Sequence, residues 1–147
     1  MSVNERTLRC SPDDVFRVLA DGWLYPAWVV AAARMRNVDA GWPSPGTRLH
    51  HSVGTWPVLI NGTTTSLEWR PPHRFAVEAR GGLIGTARVV IDVTPSARGS
   101  LVRMTETAVS GPARLVPVLP DLLLWWRNTE ALRRLGFLCE GMAGGVR

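Results

Sequence analysis

The stretch LPDLLLWWRNTEALRRLGFLCE, residues 119–140, decides how the rest of the chain must fold. Pro117 and Pro120 precede it, and Leu124, Asn128, Ala131, Leu135 and Leu138 then recur on one stripe, with Trp125, Leu132 and Cys139 beside them. Arg127, Glu130, Arg133, Arg134 and Glu140 take the other side, so the spacing predicts a single helix with an apolar face. At 1.5 Å per residue, about 22 residues give a rod roughly 33 Å long.

Upstream, from Arg34 to Val109, the period changes to two, and six strands are predicted at 33–40, 46–54, 58–70, 73–80, 84–94 and 100–109. Gly and Pro clusters at 41–46, 54–57, 71–72, 81–82 and 95–99 punctuate them. Links this short allow only antiparallel pairing, because a parallel crossover needs a dozen or more residues. Earlier still, residues 3–10 read as a weak strand with a mostly wet surface. Ser11-Pro12-Asp13-Asp14 then supplies an N-cap, a proline at the first helical position and two acids for the positive end of the dipole. A short helix over 12–20 follows, ended by Gly22, and Tyr25 to Val30 restarts a second short helical piece. One face of the sheet must be covered, and only the final helix is long enough to do it, so the strands must curl around that helix.

Composition narrows the function. The chain has 147 residues, 46% hydrophobic and 20% charged, which suits one domain over 1–147 that folds without metal or disulfide staples. The net charge is +5, yet the seventeen basic residues are dispersed among acids in no run that would track phosphates, so nucleic acid is not expected as a partner. All seventeen are arginine, which excludes Schiff-base catalysis by lysine. Cys10 and Cys139 lack CxxC or metal spacing and read as small apolar residues kept reduced; no metal or cofactor is expected. The first residues carry no apolar leader and no stretch is long enough to span a bilayer, so a cytoplasmic protein without stable membrane insertion is expected.

The order of strand, two short helices, six-strand meander and long C-terminal helix is that of the α+β helix-grip fold. On that order the chain resembles the START, Bet v 1-like and polyketide cyclase/dehydrase-like superfamily, known as SRPBCC proteins, over essentially its whole length. Ser11 to Asp21 followed by Tyr25-Pro26-Ala27-Trp28 is similar to the superfamily's opening helices. Three further stretches, Gly46 to Gly54, Thr105 to Pro112 and Arg127 to Leu132, resemble one bacterial branch. The resemblance implies a curved sheet of six to seven strands and a cavity for an apolar small molecule of lipid, polyketide or aromatic type; a few members catalyse cyclisation or dehydration there.

Within that frame, alternation puts His51 with Leu49 and Val53 on the apolar side of its strand. It is either a core histidine satisfied by a backbone carbonyl or a group that contacts ligand and moves protons near neutral pH. Its neighbour His50 points to the opposite face, so the two are a poor metal pair. Glu106 shares a face with Val102, Met104 and Ala108, so either the strand is frayed or bulged there or the carboxylate points inward and needs a partner, as an acid or base or bound to an arginine such as Arg88 or Arg127. Asn128 is the one polar residue on the helical stripe, placed for a ligand carbonyl, a strand backbone or Glu106. Trp28, Trp69 and Trp125 are expected to face inward as core or as ligand platform. Trp69, Val77, Val89, Ile91 and Met104 are expected to line the cavity opposite Trp125 and Asn128.

Two functions fit these residues. A carrier or sensor needs only a concave apolar wall and a polar anchor or two. A cyclase or dehydratase would use His51 and Glu106 to shuttle protons while arginine or asparagine steadies an enolate oxygen. Finally, Leu122 to Trp126 is apolar all round a turn and must leave a side uncovered. Pairing with a second subunit is its first reading, with a lid over the pocket or transient membrane contact as the others.

Overall fold

The computed structural model describes residues 1–82, 85–111 and 118–144. Strand β1 (Ser2–Leu8) leads to helix α1 (Pro12–Ala20), a 3-10 turn (Gly22–Leu24) and helix α2 (Tyr25–Trp28). Six strands follow: β2 (Ala32–Val38), β3 (Arg48–Thr55), β4 (Val58–Arg70), β5 (Arg74–Arg80), β6 (Thr86–Ser96) and β7 (Gly99–Ser110). Helix α3 (Val118–Gly144) closes the chain. The strands form one seven-stranded antiparallel sheet in the order β1-β7-β6-β5-β4-β3-β2. This is the expected helix-grip architecture. Residue 84, expected to open the sixth strand, lies outside the described residues; the strand is seen from Thr86.

Local chemistry accounts for the element ends. The Ser11 hydroxyl accepts the Asp14 amide while the Asp14 carboxylate accepts the Ser11 amide, a reciprocal cap that starts α1 and turns Val15, Phe16, Val18 and Leu19 inward. Asp21 ends α1, and its carboxylate accepts the Trp23 amide to open the 3-10 turn. Gly22 therefore does not end the helix. It admits the sheet: a Cβ there would sit 2.5 Å from Leu49 Cδ2.

α3 is held to the edge strand along its length. The Met1 amine meets Asp121 at 3.1 Å, the Asn4 side-chain amide donates to the Trp125 carbonyl and the Thr129 hydroxyl at 2.8 Å, and the Arg9 amide donates to Glu140 at 2.9 Å. The weak first strand is thus buried at Ser2, Asn4 and Leu8 because it carries the helix. Burial pushes the Cys10 thiol up to about 11 and the Cys139 thiol higher still, so both sit as inert core groups between β1 and α3.

The meander gives the sheet two ends. The β4–β5 and β6–β7 turns and the N-terminus of α1 gather at one; the β3–β4 and β5–β6 turns and the start of α3 gather at the other. The first end is closed by aromatic packing. Trp69 lies 5.1 Å from Phe16 and 5.0 Å from Phe75, ring centre to ring centre, and Trp42 meets Phe75 edge-on at 5.8 Å.

Two expectations fail here. Trp69 faces inward but does not line a cavity: a register shift between Ser66 and Glu68 seats it opposite Phe75 at the end that α1 plugs with Phe16. Trp125 does not face inward at all, and is 51% exposed. It lies one position, about 100° of helix turn, beyond Leu124 and clears the edge of β1, where only its backbone is held, by Asn4.

Candidate functional site

Three strands carry a size gradient on the face toward α3. From the closed end to the other, β5 presents Phe75, Val77 and Ala79 before Gly81; β6, read backwards, presents Ile91, Val89 and Ala87 before Gly85; β7 presents Met104, Glu106 and Ala108 before Ser110. Alternation puts these residues on one face, and their shrinking volume opens a space that the helix roofs with Leu124, Arg127, Asn128 and Ala131. The resulting cavity holds about 300 Å³, with walls mostly apolar, and among the described residues it extends to Gly54, Gly81, Gly85 and Ser110 at the end opposite the aromatic plug, its mouth. Of the expected lining residues, Trp28, His51, Val77, Val89, Ile91, Met104, Glu106 and Asn128 all border this one volume. Trp69 and Trp125 do not.

Polar groups reach the cavity from two walls. On one, His51 of β3 is buried against β4, where Gly62 leaves room for its ring: a Cβ at Gly62 would lie 3.3 Å from His51 Cε1 and collide with the Arg80 carbonyl oxygen. His51 Nε2 shares a hydrogen bond of 2.9 Å with the Thr64 hydroxyl, and Thr64 shares another of 3.0 Å with the Tyr25 phenol. Tyr25 also stacks on the imidazole, with ring centres 5.2 Å apart and planes 26° apart. Burial, helped by the positive charges of Arg36 and His50, holds the His51 pKa down to about 4, so the imidazole is neutral at neutral pH. Burial likewise pushes the Tyr25 phenol up. His51 Nδ1 is buried with no partner among the described residues, as is Trp42 Nε1 at the cavity's inner end.

On the other wall, Glu106 of β7 is 4% exposed and receives two donors from α3. The Arg127 guanidinium donates to Oε1, and the Asn128 amide donates to Oε2 at 2.8 Å. The arginine partner is therefore Arg127, while Arg88 pairs with Glu78 instead. Asn128 holds Glu106 rather than a strand backbone. Both carboxylate oxygens are engaged, each by one donor. Arg127 keeps further N–H groups and stays about one-third exposed near the mouth.

Sequence reasoning missed Tyr25, Thr64 and Trp42. A signal existed for Thr64: Gly62, Thr64 and Ser66 follow one another on the inward period of β4, and small polar residues at core positions ask for partners. Tyr25 gave none, because aromatic residues in an apolar helical piece read as core. No group of three or more His, Cys, Asp or Glu residues that could hold a metal ion occurs among the described residues. No described helix is long and apolar enough to cross a membrane.

Comparison with known proteins agrees with the fold. The family model described as polyketide cyclase / dehydrase and lipid transport matches residues 2–135. No curated protein matches the chain. Among solved structures, Ara h 8.0201 superposes with a TM-score of 0.75 at 12% identity, covering 95% of this chain and 96% of its own. A protein from Rhodobacter sphaeroides gives a TM-score of 0.74 at 20% identity, covering 95% and 91%. The di-domain ARO/CYC StfQ from the steffimycin biosynthetic pathway gives 0.72 at 15% identity; 97% of this chain is covered but 51% of that one. At these identities the likeness establishes the helix-grip, Bet v 1-like fold.

Proposed function

The chain belongs to the polyketide cyclase / dehydrase and lipid transport family, and from that premise and the cavity's geometry we propose that its single domain, 1–147, binds an apolar small molecule between the sheet and α3. The observation that carries this reading is the taper on β5, β6 and β7, which leaves an open apolar volume of about 300 Å³. That size stands at the lower end of small-molecule sites, which suits a compact ring system or a short acyl chain rather than a large lipid. Arg127, pinned by Glu106 and steadied beside Asn128, is placed for one carbonyl or carboxyl oxygen of the ligand. The unpartnered His51 Nδ1 suits a hydroxyl deeper in. Trp28, Val77, Val89, Ile91 and Met104 supply apolar wall. Two buried thiols fit the reducing cytoplasm as the working compartment. Dispersed arginines, many already paired with acids, favour a small molecule over nucleic acid as partner.

One observation favours a second reading, a cyclase or dehydratase. His51 is a buried, neutral imidazole with one free ring nitrogen, stacked and hydrogen-bonded into a fixed orientation. Such a group can take a proton from a carbon acid while Arg127 steadies the enolate oxygen. Glu106 then positions Arg127, and as an acid or base it would use a lone pair that neither donor occupies.

Native mass spectrometry of whatever co-purifies, followed by titration with a flat apolar fluorescent probe, tests the proposal. Bound apolar mass and probe uptake that Val89→Trp abolishes are expected. His51→Ala and Glu106→Gln separate the two readings: a carrier keeps most of its affinity, whereas an enzyme loses turnover by a factor on the order of 10² or more. Probe uptake unchanged by Val89→Trp would place binding outside the cavity and sink both.

A further inference from the structure

The large exposed apolar side chains are unevenly distributed. At the closed end and along the flanks they are scattered, and one of them, Phe137, lies under the Arg133 guanidinium at 5.1 Å. At the mouth they gather on two facing flanks. The β3–β4 turn carries Trp56, 81% exposed, and Val58, 70% exposed. Across the opening, the first turns of α3 carry Leu122, Leu123, Trp125 and Trp126, each more than half exposed. Three of the seven tryptophans thus stand in water around the mouth of an apolar cavity, at the opposite end from the aromatic plug that holds Trp42 and Trp69.

Charge at this end is also one-sided. Three of its acids are already matched, Glu78 by Arg80 and Arg88, Glu106 by Arg127 and Asp121 by the Met1 amine, while Asp21, which also borders the cavity, accepts among the described residues only the Trp23 amide. Arg34 and Arg36, exposed on the neighbouring edge strand β2, make no ion pair among the described residues; they donate to Ser52 and to the His51 and Gly62 carbonyls. The surplus fits the net charge of +5.

The geometry points to an anionic lipid bilayer as the surface that this rim docks on, with Trp56 and Val58 on one side and Leu122, Leu123, Trp125 and Trp126 on the other entering the interface. Tryptophan is the side chain best suited to that depth, with an apolar body and one polar N–H, and guanidinium groups beside it are drawn to anionic headgroups. A second copy seated on both flanks would seal the mouth and strand the ligand. A bilayer touches both flanks and is itself the apolar phase from which such a ligand partitions. The inference rests on the binding reading for its purpose, but docking is measured without any ligand.

The test uses the full chain with vesicles of phosphatidylcholine, alone and with about one-third phosphatidylglycerol, read by co-sedimentation and by quenching of tryptophan with brominated lipid. Binding to the anionic vesicles that weakens with salt is expected. Trp56→Ala, and separately the double change Trp125→Ala with Trp126→Ala, should each weaken partitioning by a factor on the order of ten, since each removes buried apolar area at the interface. These are surface changes, so circular dichroism and probe affinity in solution should stay as in the parent. Val89→Trp should lose the probe and keep the vesicles, which separates failure of this inference from failure of the binding reading. Absence of binding to anionic vesicles at low salt overturns the inference, as does undiminished binding by the rim variants. A dimer that the double tryptophan variant dissolves would assign the face to a second copy instead.

Discussion

At the closed end of the sheet, Phe16, Trp69, Phe75 and Trp42 pack ring against ring between strands and α1; toward the open end β5, β6 and β7 carry Ala79, Ala87 and Ala108, and among the described residues nothing fills the space. Antiparallel pairing is shared by the two ends, and register shifts occur toward both, between Ser66 and Glu68 and between Thr86 and Ala87. What differs along the cavity wall is side-chain volume, stepping down from Phe75 to Ala79 over two inward positions of one strand. A cavity in this architecture needs no special backbone. It is made by residues too small to reach the helix, and it is bounded by residues that do.

That contrast can be broken from either side. The largest effect is expected at the plug, where Phe75→Ala should lower stability by about 3–5 kcal/mol in urea unfolding; a loss below about 1 kcal/mol would mean that this end is not packed solid. Next comes His51, midway along the taper. Its folded pKa of about 4 lies below the ordinary 6.5, so the unfolded chain binds the proton more readily between those values. Stability is therefore full above about pH 6.5 and falls as pH drops toward 4, by about 2–3 kcal/mol in all. The difference between the parent and His51→Gln across that window isolates the effect, and identical pH profiles would contradict burial of a neutral imidazole. Third, Val89→Trp should cost about 1–3 kcal/mol while removing probe binding. Smallest is Ala108→Val at the open end, expected within about 0.5 kcal/mol of the parent because empty volume receives the added methyls. A penalty there as large as that of Val89→Trp would show the open end to be full.

Much of this was legible in the residues themselves. α1 over 12–20 and β4 over 58–70 follow from a cap and a period-two pattern between turn residues, and both lie where those signals put them. Boundaries drifted where signals were weak: α3 runs past Glu140 to Gly144 because no proline or buried glycine stops it. At the site, Glu106 with Arg127 and Asn128 could be anticipated, since a carboxylate on an apolar face must find donors on the element above it. Trp69 and Trp125 could not be placed, because alternation gives the face of a residue but neither its depth along the sheet nor how far a helix overhangs its edge. The Tyr25–Thr64–His51 chain joins three elements distant in sequence. No local pattern records such a junction.

The strand order carries a last consequence, for the time at which the molecule comes into being. β1 has one neighbour in the sheet, β7, and Ser2 pairs with Glu106. A ribosome releasing this chain exposes its first strand long before its only pairing partner exists, and α3, which locks β1 through Asn4 and Arg9, is made after that. The meander from β2 to β7 can zip progressively through short turns as it emerges, but the gathering of β1 waits until β7, about a hundred residues later, has been made. Contacts of such high sequence separation put the final step in the slow range of folding, on the order of milliseconds to seconds. Until then the amino-terminal segment, Ser2 and Asn4 included, is open to proteases and chaperones.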